Sequence, residues 1–307
     1  MEFKLLLICG LHRSGTTYVG KIAAKSDCVI VDEPFNEQWG VEGVPVVYPF
    51  AENDDSPYAS FIDEVMRINR PWNKKPHVLS SKLMKDKVYA LTGGISGLRW
   101  GILRWRKRLG LMPERVCLKD PFATLALPYI VSAFGALAVC IVRHPAAIHY
   151  STQKQGWRFN ASNLRNQPLL IERYGKDIPD KHWTTADESA AAGIALLWKM
   201  MVRVNTAFAE KDDRLLMIRH EDLCLDPENT ARKIFLHLGL KSTPAVFAYV
   251  ASMASGERAE AKANELFSFK RDSKALVDCW RGKLAQSDEK ILREIVGDDI
   301  LRQYAHW

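Results

Sequence analysis

The segment from Phe3 to Thr17 constrains this chain more than any other, because an apolar run enters a loop framed by Gly10 and Gly15 that opens directly into a helix-forming stretch. Strand, glycine loop and helix in that order make a phosphate cradle. Backbone N–H groups between the glycines, and those of the helix's first turn, converge on one anion that the helix dipole also favours. A nucleoside-triphosphate loop of this kind carries Lys after the second glycine, to reach the β- and γ-phosphates. Here that position is Thr16, with Thr17 at the Ser/Thr position and Arg13 as the nearest cation. The loop can cradle a phosphate but has no lysine for a γ-phosphate.

A second run, 138–142, is short and apolar, as a strand covered on both faces of a parallel sheet is. It is followed by Arg143, His144 and Pro145. Proline suits the first turn of a helix, where its missing N–H has no partner to lose. Arg143 is therefore expected at the carboxyl edge of the sheet, where ligands of open α/β sheets collect and where a guanidinium can bind phosphate in bidentate fashion. The alternative is a structural arginine paired with a neighbouring acid. Apolar runs at 3–9, 28–31, 115–118, 138–142 and 214–218 read as central strands. Helical patterns follow at 17–25, 147–154 and 189–210, the last with Ile194, Leu197, Trp198, Met201 and Val202 on one face. Another helix runs through 232–238, with Asp226 as its cap, Pro227 in its first turn and Gly239 as its stop. This alternation predicts an α/β fold, a doubly wound parallel sheet flanked by helices.

The motif Gly10-x-x-Arg13-Ser14-Gly15-Thr16-Thr17 resembles the 5′-phosphosulfate loop of sulfotransferases that use 3′-phosphoadenosine 5′-phosphosulfate (PAPS). Arg143 and Ser151, eight positions apart, match the pair that holds the donor's 3′-phosphate in that family. Further similarity lies in Arg219-His220-Glu221-Asp222, Asp226-Pro227, 235–240 and Trp280-Arg281-x-x-Leu284. The resemblance implies a P-loop-containing nucleotide-hydrolase-like fold; the length favours a single domain over 1–307, and 41–112, the largest stretch that the resemblance leaves unexplained, is expected to be an inserted acceptor-specific segment. The resemblance also implies PAPS as donor, released as 3′-phosphoadenosine 5′-phosphate (PAP), and no metal. It assigns Gly10, His12, Arg13, Ser14, Gly15, Thr16 and Thr17 to the 5′-phosphate side, and Arg143 and Ser151 to the 3′-phosphate. Lys270 and Arg271 resemble the late loop that closes over the nucleotide, although the Arg-Lys-Gly form of that loop is absent.

Sulfuryl transfer is an in-line displacement that accumulates charge on the leaving bridging oxygen, so the protein has to position the partners and stabilise that charge. The acceptor hydroxyl needs a base. Glu33 follows the second strand, and Glu33-Pro34-Phe35 resembles an element of bacterial and carbohydrate sulfotransferases, which makes it the first candidate. A structural cap or ion pair, for instance with Arg13, is its alternative role. Lys119-Asp120-Pro121 closes the third strand in the equivalent place. Lys119 could stabilise the bridging oxygen and Asp120 could serve as base, or the two could form a structural pair. His12 and His144 are given no catalytic role.

The 307 residues are 47% hydrophobic, enough for a substantial core, and the net charge of +7 suits a partner that is anionic: nucleotide, membrane surface or nucleic acid. No nucleic-acid-binding motif accompanies the charge, so nucleic acid is not expected. The six cysteines lack any Cys-x-x-Cys spacing and read as buried free thiols. With no apolar span or leader at the amino terminus, a cytoplasmic, bacterial-style enzyme is expected. The segment 98–111 interleaves Arg99, Arg104, Arg106, Lys107 and Arg108 with Trp100 and Trp105. It reads either as peripheral contact with an anionic membrane or acidic glycan, or as a solvated basic helix whose tryptophans pack inward. The expected acceptor is a saccharide or glycolipid, the oligomeric state is open, and the competing readings are a kinase on the same fold and a non-catalytic PAPS or PAP binder.

Overall fold

Continuous burial along the short apolar runs fixes the architecture. In the computed structural model, which describes residues 3–73, 94–254 and 273–304, these runs become β1 (Lys4–Cys9), β2 (Val29–Asp32), β3 (Arg115–Lys119), β4 (Leu137–Val142) and β5 (Leu215–Arg219). They form one sheet in the order β2-β3-β1-β4-β5, and every neighbouring pair is parallel. Successive side chains of a strand point to opposite faces, so a strand covered on both sides needs apolar residues at every position. β1 obeys this from Leu5 to Cys9.

Two apolar layers result. Leu5, Leu7, Cys9, Leu118, Cys140 and Val142 face one layer; Leu6, Ile8, Cys117, Val139 and Ile141 face the other. The helices that cover them are α1 (Thr16–Ala23), α2 (Ala59–Met66), α3 (Gly94–Arg108), α4 (Leu127–Phe134), α5 (Pro145–Gln153), α6 (Ala190–Ala209), α7 (His220–Leu225), α8 (Pro227–Leu238) and α9 (Gln286–Val296). On the first face lies α6, with Leu197, Trp198 and Met201 buried. On the second lie α1 through Val19 and Ile22, and α8 through Ile234 and Phe235.

Helix boundaries follow their expected chemistry. Ser189 caps α6 by accepting from the N–H of Ala192 at 3.3 Å. Asp226 caps α8 by accepting from the N–H of Asn229 at 3.3 Å, and Gly239 ends that helix at φ 62°. The basic segment at 98–111 falls largely on α3, and its two tryptophans part company: Trp100 is buried and donates from Nε1 to the Arg70 carbonyl at 2.8 Å, whereas Trp105 is exposed. Part of 41–112 also belongs to the main core, since Phe61, Ile62, Val65 and Met66 of α2 pack into the first layer.

Register decides what meets at the carboxyl edge. Asp32 is level with Lys119, Cys9 with Cys140, and Val142 with Arg219. Glu33, Lys119, Gly10 and Arg143 therefore leave the sheet along one rim. β1 has β3 on one side and β4 on the other, so the chain's connections diverge to opposite sides at β1 and open a crevice there.

The loop after β1 lies hard against β4. A Cβ on Gly10 would come 2.2 Å from the Ile141 carbonyl oxygen and 2.8 Å from Ser14 Oγ, and the residue sits at φ +128°. Both the backbone contact and the dihedral exclude a side chain. Gly10→Ala is expected to lower unfolding stability by about 2–3 kcal/mol or more, read from urea denaturation midpoints. An unchanged midpoint would show that the loop can move away from β4 freely.

Candidate active site

The phosphate-type loop is built by local backbone chemistry. Gly15 is the cap residue of α1 at φ 99°, and no side chain caps that helix. The first-turn N–H groups of an α-helix have no intrahelical partner, so Thr16 and Thr17 offer donors at the rim of the cleft. Ser14 differs from its expected role. Its N–H and hydroxyl both donate to the Leu11 carbonyl, at 3.1 and 2.6 Å, which spends them on closing the loop. Arg13 takes a left-handed conformation at φ 68°, and Gly15 lies against the ring of His220.

Arg13 comes together with Arg143 and Ser151, which lie 130 and 138 positions further along the chain. Arg13 Nε donates to Ser151 Oγ at 2.9 Å. Arg143 Nη1 donates to the Arg13 carbonyl at 2.7 Å, tying the end of β4 to the loop. Arg143 is 7% exposed, and its Nε is buried with no hydrogen-bond partner. No acid among the described residues pairs with its guanidinium; Nη2 approaches only Cys279 Sγ, at 3.8 Å. A buried guanidinium without a carboxylate is a donor set awaiting an anion.

The backbone behind Arg143 is held by residues from later in the chain. Trp198 Nε1 donates to the Arg143 carbonyl at 2.9 Å. Glu221 accepts from the His144 N–H at 3.1 Å and from the Tyr304 hydroxyl at 2.7 Å. Trp280 stacks on the His144 ring with centroids 4.7 Å apart. His144 thus caps α5 and packs, with Nδ1 accepting from the Ala146 N–H.

Across the crevice Glu33 stands at φ 55°. Its Oε1 accepts from Lys119 Nζ at 2.7 Å, and its Oε2 accepts from Asn36 Nδ2 at 3.0 Å. Lys119 also lies 3.3 Å from Asp32 Oδ1. The partner of Glu33 is thus Lys119 and not Arg13. Burial acts to raise the Glu33 pKa, but Lys119, His12 and the two hydrogen bonds outweigh it and hold the carboxyl below its ordinary value. Lys119 is pushed the other way: burial disfavours its charge, and Glu33 and Asp32 more than restore it. Its stem lies against Gly20 of α1, where a Cβ would meet Cγ at 3.1 Å.

Asp120, the other carboxylate considered from sequence, is fully buried and faces inward. It accepts from the N–H groups of Phe35 and Phe122 at 2.7 and 2.8 Å, so it anchors the turn that carries Glu33. His12 bonds through Nδ1 to the Tyr48 hydroxyl. Desolvation lowers the His12 pKa to about 4; Glu33 opposes that shift, and Lys119 and Arg13 reinforce it. Neutral at physiological pH, His12 is a packed hydrogen-bonding ring beside Phe122 and Trp157. Three of the four non-glycine residues with positive φ among those described, Arg13, Glu33 and Tyr48, surround this cleft. Backbone held in a sparsely populated region by its surroundings is a mark of functional sites.

The site therefore combines an anion cradle with a buried guanidinium on one side and an ionised carboxylate bonded to a lysine on the other. Sequence reasoning missed Asn36, Tyr48 and Trp198 as supports. Asn36 lies in the same short run as Glu33 and could have been found, because its Oδ1 also accepts from the N–H groups of Gln38 and Trp39 in a turn typical of Asn. Nothing local marks Tyr48 or Trp198. Lys270 and Arg271 lie outside the described residues. Two open depressions, about 460 and 490 Å3, sit away from this rim around Arg173 and Tyr174; several of the charged side chains in their walls are paired with one another, such as Arg203 with Asp177 and Asp299.

A family model described as the sulfotransferase family matches residues 6–244. Among solved structures, retinol dehydratase in a complex with retinol and PAP aligns with a TM-score of 0.51 at 13% identity, over 99% of this chain and 82% of that one. The mouse sulfotransferase SULT7A1 complexed with PAP aligns at 14% identity and TM-score 0.47, over 100% and 90%. The sulfotransferase domain from the curacin biosynthetic pathway aligns at 15% and 0.45, over 95% and 97%. No curated protein matches the sequence. At these identities the likeness to retinol dehydratase is one of fold.

The Lys119–Glu33 pair gives a signed pH dependence. A carboxyl whose folded pKa is depressed contributes stability that is present above its unfolded value, 4.5, and lost as pH falls through the folded pKa. Lys119→Met removes the main opposing charge and leaves burial to raise Glu33, which reverses the sign. The variant is expected to be about 1–3 kcal/mol less stable at pH 7 and to recover towards wild type as pH falls to the carboxylate range. Urea denaturation across pH reads this; a deficit that does not change with pH would remove the pair from the account.

Proposed function

The chain belongs to the sulfotransferase family, and on that premise we propose that it is a PAPS-dependent enzyme whose donor and acceptor meet between Arg143 and Glu33. The observation that carries this reading is the buried Arg143 guanidinium, free of any described acid and bonded to the loop beneath it. The residues fit the donor. Gly10 and Gly15 let the loop close against the Ile141 carbonyl and the His220 ring, the uncapped start of α1 and the hydroxyls of Thr16 and Thr17 suit the 5′-phosphate, and Arg143 with Ser151 suits the 3′-phosphate. Arg13, bonded to Ser151, bridges the two.

In the reaction the acceptor hydroxyl gives its proton to Glu33 while its oxygen forms a bond to sulfur. The bond from sulfur to the bridging phosphate oxygen breaks, and PAP leaves. Lys119, held 2.7 Å from Glu33 in this structure, stabilises the charge that develops on the bridging oxygen. Moving towards that oxygen also releases Glu33, whose affinity for a proton rises when the cation withdraws. Asn36 keeps the carboxylate in place through the other oxygen. Thr16 occupies the position of a γ-phosphate lysine, which sets the kinase reading aside.

The acceptor in this reading is a saccharide or glycolipid hydroxyl. Support comes from the Glu33-Pro34-Phe35 element and from Trp157 and Trp39, both about 40% exposed, with Trp157 6.1 Å from His12. Aromatic faces beside a carboxylate suit a ring that carries both apolar and hydroxyl surface.

Calorimetric titration with PAP is expected to show Arg143→Ala binding about ten- to a hundredfold more weakly than wild type. Glu33→Gln is expected to bind PAP normally and to lose about 10²- to 10⁴-fold in turnover on a sulfated acceptor class. Wild-type affinity in the first variant, or full turnover in the second, would overturn the corresponding assignment.

A further inference from the structure

α3 has two apolar faces, and the fold uses one of them. Trp100 and Leu103 are buried against the core. Ile95, Leu98, Ile102, Trp105 and Leu109 recur at alternating spacings of three and four, so at 3.6 residues per turn they form a single stripe on the other side. All five are exposed, Ile95 at 72% and Trp105 at 60%. By the same geometry Arg99 and Arg106 flank one edge of the stripe and Arg108 the other, and Gly94–Arg108 contains no Asp or Glu. Single exposed apolar residues need no explanation, but an aligned row of five does.

We propose that this face of α3 seats the protein on an anionic lipid bilayer, with the stripe entering the headgroup–acyl boundary and the flanking arginines meeting lipid phosphates. Charge selects the occupant. A second copy of the chain would bring one all-basic helix against another, and like charges across an interface oppose it. An anionic bilayer supplies apolar depth and negative charge together, and tryptophan is suited to that boundary. The same helix is fixed to the sheet beside the cleft: Arg99 Nη1 donates to the Ile30 carbonyl at 3.0 Å, and the Asp32 N–H donates to Ser96 Oγ at 3.3 Å. The docking helix thus grips β2 immediately before Glu33, which brings the bilayer beside the strand that presents the base. The proposal does not rest on the identity of the acceptor.

Flotation of the full chain with vesicles tests it. Binding is expected to mixed phosphatidylglycerol and phosphatidylcholine vesicles, to weaken with added salt, and to be absent with phosphatidylcholine alone. Arg106→Gln with Arg108→Gln should weaken binding about thirtyfold, at about 1 kcal/mol per charge. Ile102→Asn with Trp105→Ser should abolish it while leaving PAP affinity at the wild-type value, which shows the variant folded and separates this test from that of the donor site. Failure to float with anionic vesicles, equal binding to neutral ones, or a wild-type dimer that the Ile102 and Trp105 changes dissolve would each overturn the proposal.

Discussion

Everything at the site depends on the close approach of the loop after β1 to the end of β4. Gly10 sits so near the Ile141 carbonyl that no side chain fits between them. That contact brings the Arg13 carbonyl within reach of Arg143, and Arg13 in turn reaches Ser151 on α5. Two adjacent parallel strands, each followed by a helix, thereby present a helix terminus and a guanidinium to the same space. On the donor reading proposed above, a longer separation would leave two weak anion sites in place of one strong one, because charge-assisted bonds gain most when several converge on a single ligand in a partly buried place.

The opposite wall works by competition. A carboxylate bonded to lysine is a poor base, since the cation stabilises the ionised form. The same lysine is the group best placed to meet negative charge developing on a leaving oxygen. In the proposed reaction, a resting Lys119–Glu33 pair stores both partners in the forms they need, charged and ionised, without exposing either to the cost of burial alone. Asp120 makes this possible from below. By accepting two backbone N–H groups it holds the turn at Phe35, and with it the unusual backbone of Glu33.

What could be read from the sequence was whatever local order encodes. Five strands, the loop, the spacing of Arg143 and Ser151, and the caps at Ser189, Asp226 and Gly239 all lie within a few residues of their own signals. Strand order was not legible, because the pairing of β1 with β3 and β4 arises from packing between distant segments. The same limit hid Tyr48, Trp198 and Tyr304, which meet the site from 36 or more positions away in the chain. The bonding of Ser14 was hidden for a subtler reason. Its place in the motif says that it belongs to the loop, but only the turn geometry reveals that its donors are turned onto Leu11.

Charge shows the same division between composition and place. A net charge of +7 says that the surface favours anions and cannot say how many kinds. In the fold the cations separate by burial. Arg143 and Lys119 are 7% and 3% exposed and are held by specific bonds, so they can recognise one anion in one orientation. The arginines that flank the stripe of α3 stand beside exposed apolar side chains on a single helix, a place that imposes no single orientation on an anion. Low local dielectric makes the first pair strong and selective, and solvent makes the second set weak, additive and salt-sensitive. On the two proposals above, one basic chain carries two anion-binding functions of different character because the fold buries one group of cations and leaves the other largely at the surface.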